Sequence, residues 1–192
     1  DVLEQAASLG WDLAPFIENQ FFSRIYHSER HVPSAFKNGY RSFLQGSFRD
    51  YDSSMGAIVG LFNHRGRLLI VFQHGIGMTE IEQRVPVGGD AAGQIFIEPS
   101  SVLPVQIQYI TKEIGCQDNL AMVQTPAGVY GMDRSKDKLW RMTDKFDVLS
   151  DNVMSSFLIN NIVNPRMGYD LQYFEVLFTT DNWTLCWKEG MN

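Results

Sequence analysis

The chain has 192 residues, of which 44% are hydrophobic and 20% are charged, and its net charge is −6 at pH 7. This composition is ordinary for a globular protein, so the chain is long enough to bury a core and is not predicted to be disordered. The acidic balance argues against non-specific binding of nucleic acid as the main role, because phosphate binding needs clustered Lys and Arg.

Residues 1–39 are predicted to form a mixed segment of linker and helix. Apolar residues occur at roughly helical spacing from Val2 to Leu13, and a second series runs from Phe16 to Ile25. A strand is the competing prediction near Phe21–Tyr26. The segment is therefore separated from the rest of the chain, which has the alternation and turn residues of β-structure.

Residues 40–192 are predicted to be antiparallel strands joined by turns. The first hairpin has Gly66 in its loop, where a positive φ is needed. A later turn contains Pro126 and Gly128, and Gly128 is expected to tolerate a positive φ. Strands are predicted at 40–44, 57–62, 68–73, 79–87, 105–110, 120–123, 129–132, 139–142, 173–180 and 183–189.

One helix is predicted after residue 150. Ser150, Asp151 and Asn152 are suitable N-cap residues, and Pro165 is expected to end the helix. Its apolar face would comprise Val153, Met154, Phe157, Leu158 and Ile162.

Three stretches share one form, in which an apolar strand, a polar turn and a second apolar or aromatic strand follow each other. They are residues 57–73, 120–142 and 174–189. Repeated β units of about 40–50 residues, lengthened by insertions, are expected of propeller blades, which bury the faces of their neighbours. The predicted fold is mainly β, with propeller-like blades of antiparallel meanders and one or two inserted helices. A β-sandwich is the alternative, because its hairpins would look similar.

Patterns that would carry chemistry are all incomplete. His27 and His31 are four residues apart, but a metal site needs further ligands. Asp133, Ser135 and Asp137 have the alternate spacing of a calcium loop without its Gly and its distant Glu, so a plain turn is expected. No phosphate-binding loop or nucleophile elbow occurs. We therefore assign no catalytic, cofactor-binding or metal-binding residue, and predict a protein that is not an enzyme and needs no cofactor.

The two cysteines, Cys116 and Cys186, lie outside any CxxC or Cys/His spacing. Two reduced thiols in the core are expected rather than a disulfide. No apolar stretch approaches the ~18 residues of a membrane span. The chain begins at Asp1 and stops just after a strand-like run, so it is expected to be a fragment of a longer polypeptide that carries only part of the blades.

The best-preserved unit combines Thr125-Pro126, the strand Gly128–Asp133 and the strand Lys138–Arg141, and Leu149-Ser150-Asp151 follows. This order resembles the blade pattern of tail muzzle or nozzle proteins from crAss-like, short-tailed bacteriophages.

Two further stretches extend this resemblance over roughly residues 40–189. They are GRLLIVFQHGI, which begins at Gly66, and GYDLQYFEVLFTTDNWTLCWKE, which begins at Gly168. Leu171 and Phe174 depart from the pattern, because Pro and a polar residue are common at these positions.

The resemblance implies a virion structural protein of the tail, part of a distal ring around the DNA channel. Its partners would be other copies of itself and neighbouring tail proteins, with DNA only as a passing cargo. The residues that carry the motif, and for which it implies structural roles, are Gly128, Tyr130, Asp133, Leu139, Trp140, Arg141, Asp170 and Glu175.

A carbohydrate-binding or carbohydrate-cleaving propeller is the alternative function. In such a protein, side chains such as Trp140 and Trp187 would form an open stacking platform. We instead predict that the aromatic residues pack within and between the sheets, because large rings bury most of the apolar area of a core.

Overall fold

A computed structural model of the protein describes residues 20–29, 36, 38–81, 85–87, 95–97, 103–104, 106–151 and 154–189. Short strands dominate these residues, together with one single-turn helix, α1 (Ser155–Leu158). The strands are β1 Arg24–Tyr26, β2 Phe48–Asp50, β3 Ile58–His64, β4 Arg67–Phe72, β5 Ile76–Glu80, β6 Val85–Val87, β7 Ile95–Ile97, β8 Gln108–Thr111, β9 Met122–Gln124, β10 Val129–Asp133, β11 Lys138–Met142, β12 Phe146–Val148, β13 Arg166–Asp170, β14 Glu175–Thr179 and β15 Thr184–Lys188.

The strands form three larger antiparallel sheets and two hairpins. The first sheet has the order β3-β4-β5-β8, the middle sheet β9-β10-β11-β12 and the last sheet β13-β14-β15, while β1-β2 and β6-β7 pair separately. The prediction of a mainly β protein with antiparallel meanders is therefore confirmed. No sheet closes on itself within the described part of the chain, and the choice between propeller and sandwich stays a prediction.

The turn between β3 and β4 follows the prediction from sequence. Arg65 and Gly66 have φ values of 54° and 79°, as a two-residue hairpin of the type favoured by strand twist requires. The turn before β10 has a different basis. Gly128 does not have a positive φ; a Cβ placed on it would instead lie 2.1 Å from the carbonyl oxygen of Met142.

Strand β4 is buried on both faces, which explains its unbroken apolar sequence. Leu69 and Val71 belong to the main core, which also includes the middle and last sheets. Ile70 and Phe72 point to the opposite side, where they join a second cluster with Ile25 and other residues near the first hairpin. The first sheet thus lies between two layers.

The middle sheet is also covered on both sides, and all five residues of β10 are buried. Trp140 faces the first sheet, and its Nε1 donates at 2.9 Å to the carbonyl of Gly115, which lies in the segment after β8. Tyr130 faces the last sheet, and its ring centroid lies 6.4 Å from that of Phe178. One core therefore connects all three sheets.

The structure corrects the local predictions at three places. The strand predicted at 40–44 is a 3₁₀ turn, Gly39–Arg41, because the Asn38 side chain accepts from the Tyr40 backbone N–H. The strand predicted at 79–87 divides into β5 and β6, which belong to different sheets. The helix predicted after Ser150 is a 3₁₀ turn followed by the single turn α1; Ile159 leaves the helical conformation with a ψ of 116°, and Asn160 has a φ of 59°.

The three stretches that share one form all contain hairpins, but they are not equivalent parts of their sheets. Residues 57–73 contain the first two strands of their sheet, whereas residues 174–189 contain the second and third strands of theirs. In the first sheet, the neighbouring strands β5 and β8 are not consecutive in sequence, because the separate hairpin β6-β7 lies between them. Apolar hairpins look alike whichever pair of strands they represent, so the sequence pattern alone did not reveal the difference.

Near the N-terminus, β1 lies where strand was the competing prediction, whereas the predicted helical spacing before residue 20 lies outside the described residues. The expectation of two core thiols was half right, since Cys116 is buried and Cys186 is exposed, both without a disulfide. No helix in the described ranges is both long and apolar enough to span a membrane.

Candidate functional site at the sheet junctions

The residues singled out from the sequence lie mainly in the middle sheet. Six of the eight belong to it or to its turns, and two flank the loop between β13 and β14. The six are Gly128, Tyr130, Asp133, Leu139, Trp140 and Arg141, and the two are Asp170 and Glu175.

Asp133 joins the end of β10 to the segment that returns from the first sheet. Its side chain is fully buried and accepts from the Gly115 backbone N–H at 2.8 Å and from the Gln117 side chain at 3.0 Å. It also accepts from the backbone N–H and the hydroxyl of Ser135, at 2.9 and 2.7 Å. A carboxylate with this many protein donors holds a turn together, and sequence reasoning found Asp133 but missed Gln117 and Gly115.

Trp140 fills the space between the first two sheets and sits over a glycine on the neighbouring strand. A Cβ on Gly131 would lie 2.2 Å from Cζ2 of the indole. Gly131 pairs with Trp140 across β10 and β11, so the glycine leaves room for the ring. Nearby, the buried His64 ring makes a 2.7 Å hydrogen bond through Nε2 to the Thr143 carbonyl.

The opposite face of the middle sheet contacts the last sheet through aromatic and polar groups. The Arg141 guanidinium lies 5.5 Å from the ring centroid of Trp187 and pairs with Asp147 at 3.0 Å. Burial, with the nearby Glu189 carboxylate as a further cause, raises the pKa of Tyr130 to about 12. The neutral phenol is therefore the form this junction stabilises.

Glu189 is a junction residue that the sequence patterns did not indicate. Its carboxylate accepts from the Thr125 hydroxyl at 2.5 Å and from the Tyr169 hydroxyl at 3.1 Å. Thr125 lies in the turn before β10, whereas Tyr169 is in β13. The Glu189 carboxylate thus connects the turn before β10 with strand β13. Its contact with Thr125 was not predicted, because the two residues are 64 positions apart in the sequence.

The loop after β13 is held by Asp170, whose Oδ1 accepts from the backbone N–H groups of Gln172 and Tyr173 at 2.8 and 3.2 Å. Phe174 then has a φ of 56°, which is uncommon for a non-glycine residue. The Phe174 carbonyl accepts from the Glu189 N–H at 3.0 Å. Glu175 begins β14 opposite Asp170 and Lys188.

The first strands of the three sheets approach each other along one side of the molecule. A Cβ on Gly60 in β3 would lie 2.8 Å from the methyl carbon of Met122 in β9. Gln124, also in β9, donates from its side chain to the Asn63 carbonyl at 2.7 Å. Strand β9 in turn lies against β13. The sheets therefore converge at β3, β9 and β13.

The structure gathers no set of groups suited to catalysis or metal binding in the described residues. No group of three potential metal ligands occurs there, and His31 lies outside them. Glu80, which borders an open cleft of about 440 Å³, pairs with Arg67 at 3.1 Å. The hydroxyl–carboxylate pairs that the site contains, Ser135 with Asp133 and Thr125 with Glu189, hold turns in place, so the arrangement can align sheets.

Comparison with known proteins gives two matches. Residues 11–192 match the family described as "Crassvirus muzzle protein". The chain is 25% identical, over 155 residues, to the "Muzzle protein" of Bacteroides phage crAss001. That match covers 74% of this chain and 11% of the relative, so the chain spans about a tenth of the length of the relative.

Proposed function

The chain belongs to the crassvirus muzzle protein family, and on that basis we propose that it forms part of a ring around the DNA channel at the distal end of the tail. It is a structural protein of the virion and a component of the tail. The proposal concerns how it acts there, which is through contacts with other copies and with neighbouring tail proteins. DNA would be a passing cargo, consistent with a net charge of −6.

We further propose that residues 40–192 form one region of propeller-like blades and that residues 1–39 are a linker segment, whose strand β1 pairs with β2 of that region. The observation that carries this proposal is the convergence of β3, β9 and β13. In a propeller the blades are arranged around a common axis, and each sheet covers the face of the next. Two four-stranded sheets and one three-stranded sheet that share one core support this proposal, although they complete no circle within the described residues.

The buried aromatic residues support a scaffold rather than a carbohydrate-binding surface. Trp140, Tyr130 and Phe178 are at most 2% exposed, so none of them offers a face on which a sugar could stack. Their proposed role, with the other motif residues, is to fix the angle between sheets. A rigid wall is what a channel needs if DNA is to move past it.

Native mass spectrometry combined with negative-stain imaging of the protein tests the ring. We expect a single copy number and closed particles with a central opening. A monodisperse monomer under all conditions would contradict the ring, and release of sugars from bacterial surface glycans would support the carbohydrate-cleaving alternative. As a control for the passing role of DNA, duplex DNA should not be retained by the protein at low salt, where phosphate contacts are strongest.

A further inference from the structure

The last sheet lacks the fourth strand that both of its larger neighbours have. The first sheet is completed by β8 and the middle sheet by β12, but β15 has a hydrogen-bonded neighbour on one side only in the described part of the chain. An open strand edge presents unpaired N–H and C=O groups that readily pair with another strand. β15 contains no proline and no bulge, and Lys188 is its only charged residue.

The hydrogen bonds at the two ends of the β14-β15 hairpin identify the groups on this edge. The Glu189 N–H donates to the Phe174 carbonyl at 3.0 Å, and the Thr180 N–H donates to the Trp183 carbonyl at 2.8 Å. Because backbone bonding alternates along an antiparallel pair, Leu185 and Trp187 bond to β14. The N–H and C=O groups of Thr184, Cys186 and Lys188 therefore point away from the sheet.

We propose that two copies of this chain pair through β15, antiparallel and centred on Cys186, so that the two last sheets form one continuous sheet of six strands. The sequence Thr-Leu-Cys-Trp-Lys is self-complementary in this register. Thr184 lies opposite the partner's Lys188, Leu185 lies opposite the partner's Trp187, and Cys186 meets its own equivalent. An aromatic–aliphatic cross-strand pair is favourable, and no like charges stand directly opposite each other.

This register also continues the existing rows of side chains across the new boundary. On the core side, Val176 and Trp187 are neighbours across β14 and β15, and the partner's Leu185 and Phe178 would extend that apolar row. On the outer side, the row from Glu175 and Lys188 would continue with two threonines of the partner. Trp187 and Leu185, which are only half-buried, would gain cover.

The inference goes beyond the proposed ring and does not depend on it. Neighbours around a ring meet head to tail, whereas the β15 contact places the same surface on both copies about a twofold axis. A ring without this contact, or this contact without a ring, would each be recognisable from the measurements below.

Disulfide trapping of the purified protein tests the register. Opposed residues in a hydrogen-bonded antiparallel pair have Cα atoms about 5.5 Å apart, within the range of about 4.4–6.8 Å that a disulfide spans. Cys116 does not compete, because burial raises the pKa of its thiol to about 12. Oxidation with copper phenanthroline should yield a disulfide-linked dimer on a non-reducing gel, and Cys186→Ser should abolish it.

Two variants in the Cys186→Ser background distinguish the register from random collision. Thr184→Cys alone should give no dimer, since its partner across the axis is Lys188. Thr184→Cys combined with Lys188→Cys should restore the dimer. If Thr184→Cys alone forms as much dimer as the native Cys186, the proposed register is overturned.

Light scattering under reducing conditions tests the association without a covalent bond. The native chain and Cys186→Ser should both have the mass of a dimer or of an assembly built from dimers. Cys186→Lys should halve that mass, because it sets two ammonium groups opposite each other on an exposed face, where the fold itself is undisturbed. Circular dichroism should confirm that the fold is intact. A native chain that stays monomeric, or a Cys186→Lys variant that keeps the full mass, would rule out the pairing.

Discussion

At the scale of single residues, Trp140 is the largest fully buried side chain in the described residues, and it packs between the first two sheets. It is fully buried, its indole N–H donates to Gly115, and its ring lies 6.2 Å from that of Phe146. Trp140→Ala should lower the free energy of unfolding by about 3–5 kcal/mol, because it leaves a large cavity and an unpaired carbonyl. Urea denaturation measures the loss. Tyr173→Ala, at a side chain that is 57% exposed, serves as the control and should change little.

Gly131 tests whether the close approach of Trp140 to β10 matters. Gly131→Ala should destabilise the protein by about 1–3 kcal/mol, since the added methyl group would overlap the indole. Gly168→Ala is the matched control, because Gly168 is also in a strand but has no atom within 4 Å of its Cβ position. Equal thermal stability of the two variants would show that the ring can move aside at little cost.

The pKa of Tyr130 predicts a loss of stability in alkali. Its folded value of about 12 lies above the value of about 10 in an unfolded chain, so the unfolded state ionises first as the pH rises. The stabilisation is complete below about pH 10 and is lost as the pH rises towards 12. Denaturation curves across this range should fall less steeply for Tyr130→Phe than for the native chain. Tyr173→Phe should behave like the native chain, and an unchanged slope in Tyr130→Phe would exclude Tyr130 as the source.

Whether the sequence reveals the structural role of a residue depends on how many residues separate it from its hydrogen-bond partner. Asp133 was recognisable because its Ser135 partner is two residues away, as in any turn of this kind. Gln117 and Glu189 were not recognisable, because their partners are distant in the sequence. Gln117 donates to Asp133, 16 residues away, and Glu189 accepts from Thr125, 64 residues away. Gly128 was singled out for backbone freedom, whereas the structure shows a close approach of its Cα to the Met142 carbonyl, which leaves no room for a Cβ.

At the scale of elements, hairpins were predicted well and the helix was not. The β3-β4 turn has two positive φ values, and Gly66 provides one of them without a steric penalty. The helix after Ser150 ends after one turn because Asn160 and Asn164 adopt left-handed φ values, although Leu158 and Ile162 are still buried. The spacing of apolar residues indicates which residues are buried, but it does not prove a helix, because a short irregular segment can bury the same residues.

Gly66→Ala should destabilise the first hairpin by about 1–2 kcal/mol, because alanine is strained at a φ of 79°. Gly46→Ala is a control, since Gly46 also has open space around its Cβ position but does not have a positive φ. Thermal denaturation compares the two. A greater loss for Gly46→Ala would mean that the strain at Gly66 is relieved by a change of turn type.

At the scale of the whole molecule, the arrangement of sheets follows from the burial of both faces of the middle sheet. A strand such as β10, with every residue buried, cannot lie at the outside of a two-layer protein. Sequence reasoning anticipated the need for neighbouring sheets from the repeat of apolar hairpins. It could not anticipate which strand of each sheet a hairpin represents, because that depends on pairings between distant segments.

The insertion of the β6-β7 hairpin between β5 and β8 affects the order in which the strands are expected to fold. The middle sheet pairs only consecutive strands, whereas β8 must close a loop from Glu80 to Gln108 before it can join β5. Closing that loop costs chain entropy before any bond is formed, so β8 should be added after the middle sheet has assembled. Pulse-labelling hydrogen exchange during refolding should show protection of the amides of β10 before those of β8. Until β8 is added, β5 would be an open edge of the first sheet. Premature association between chains during synthesis is most expected at this edge.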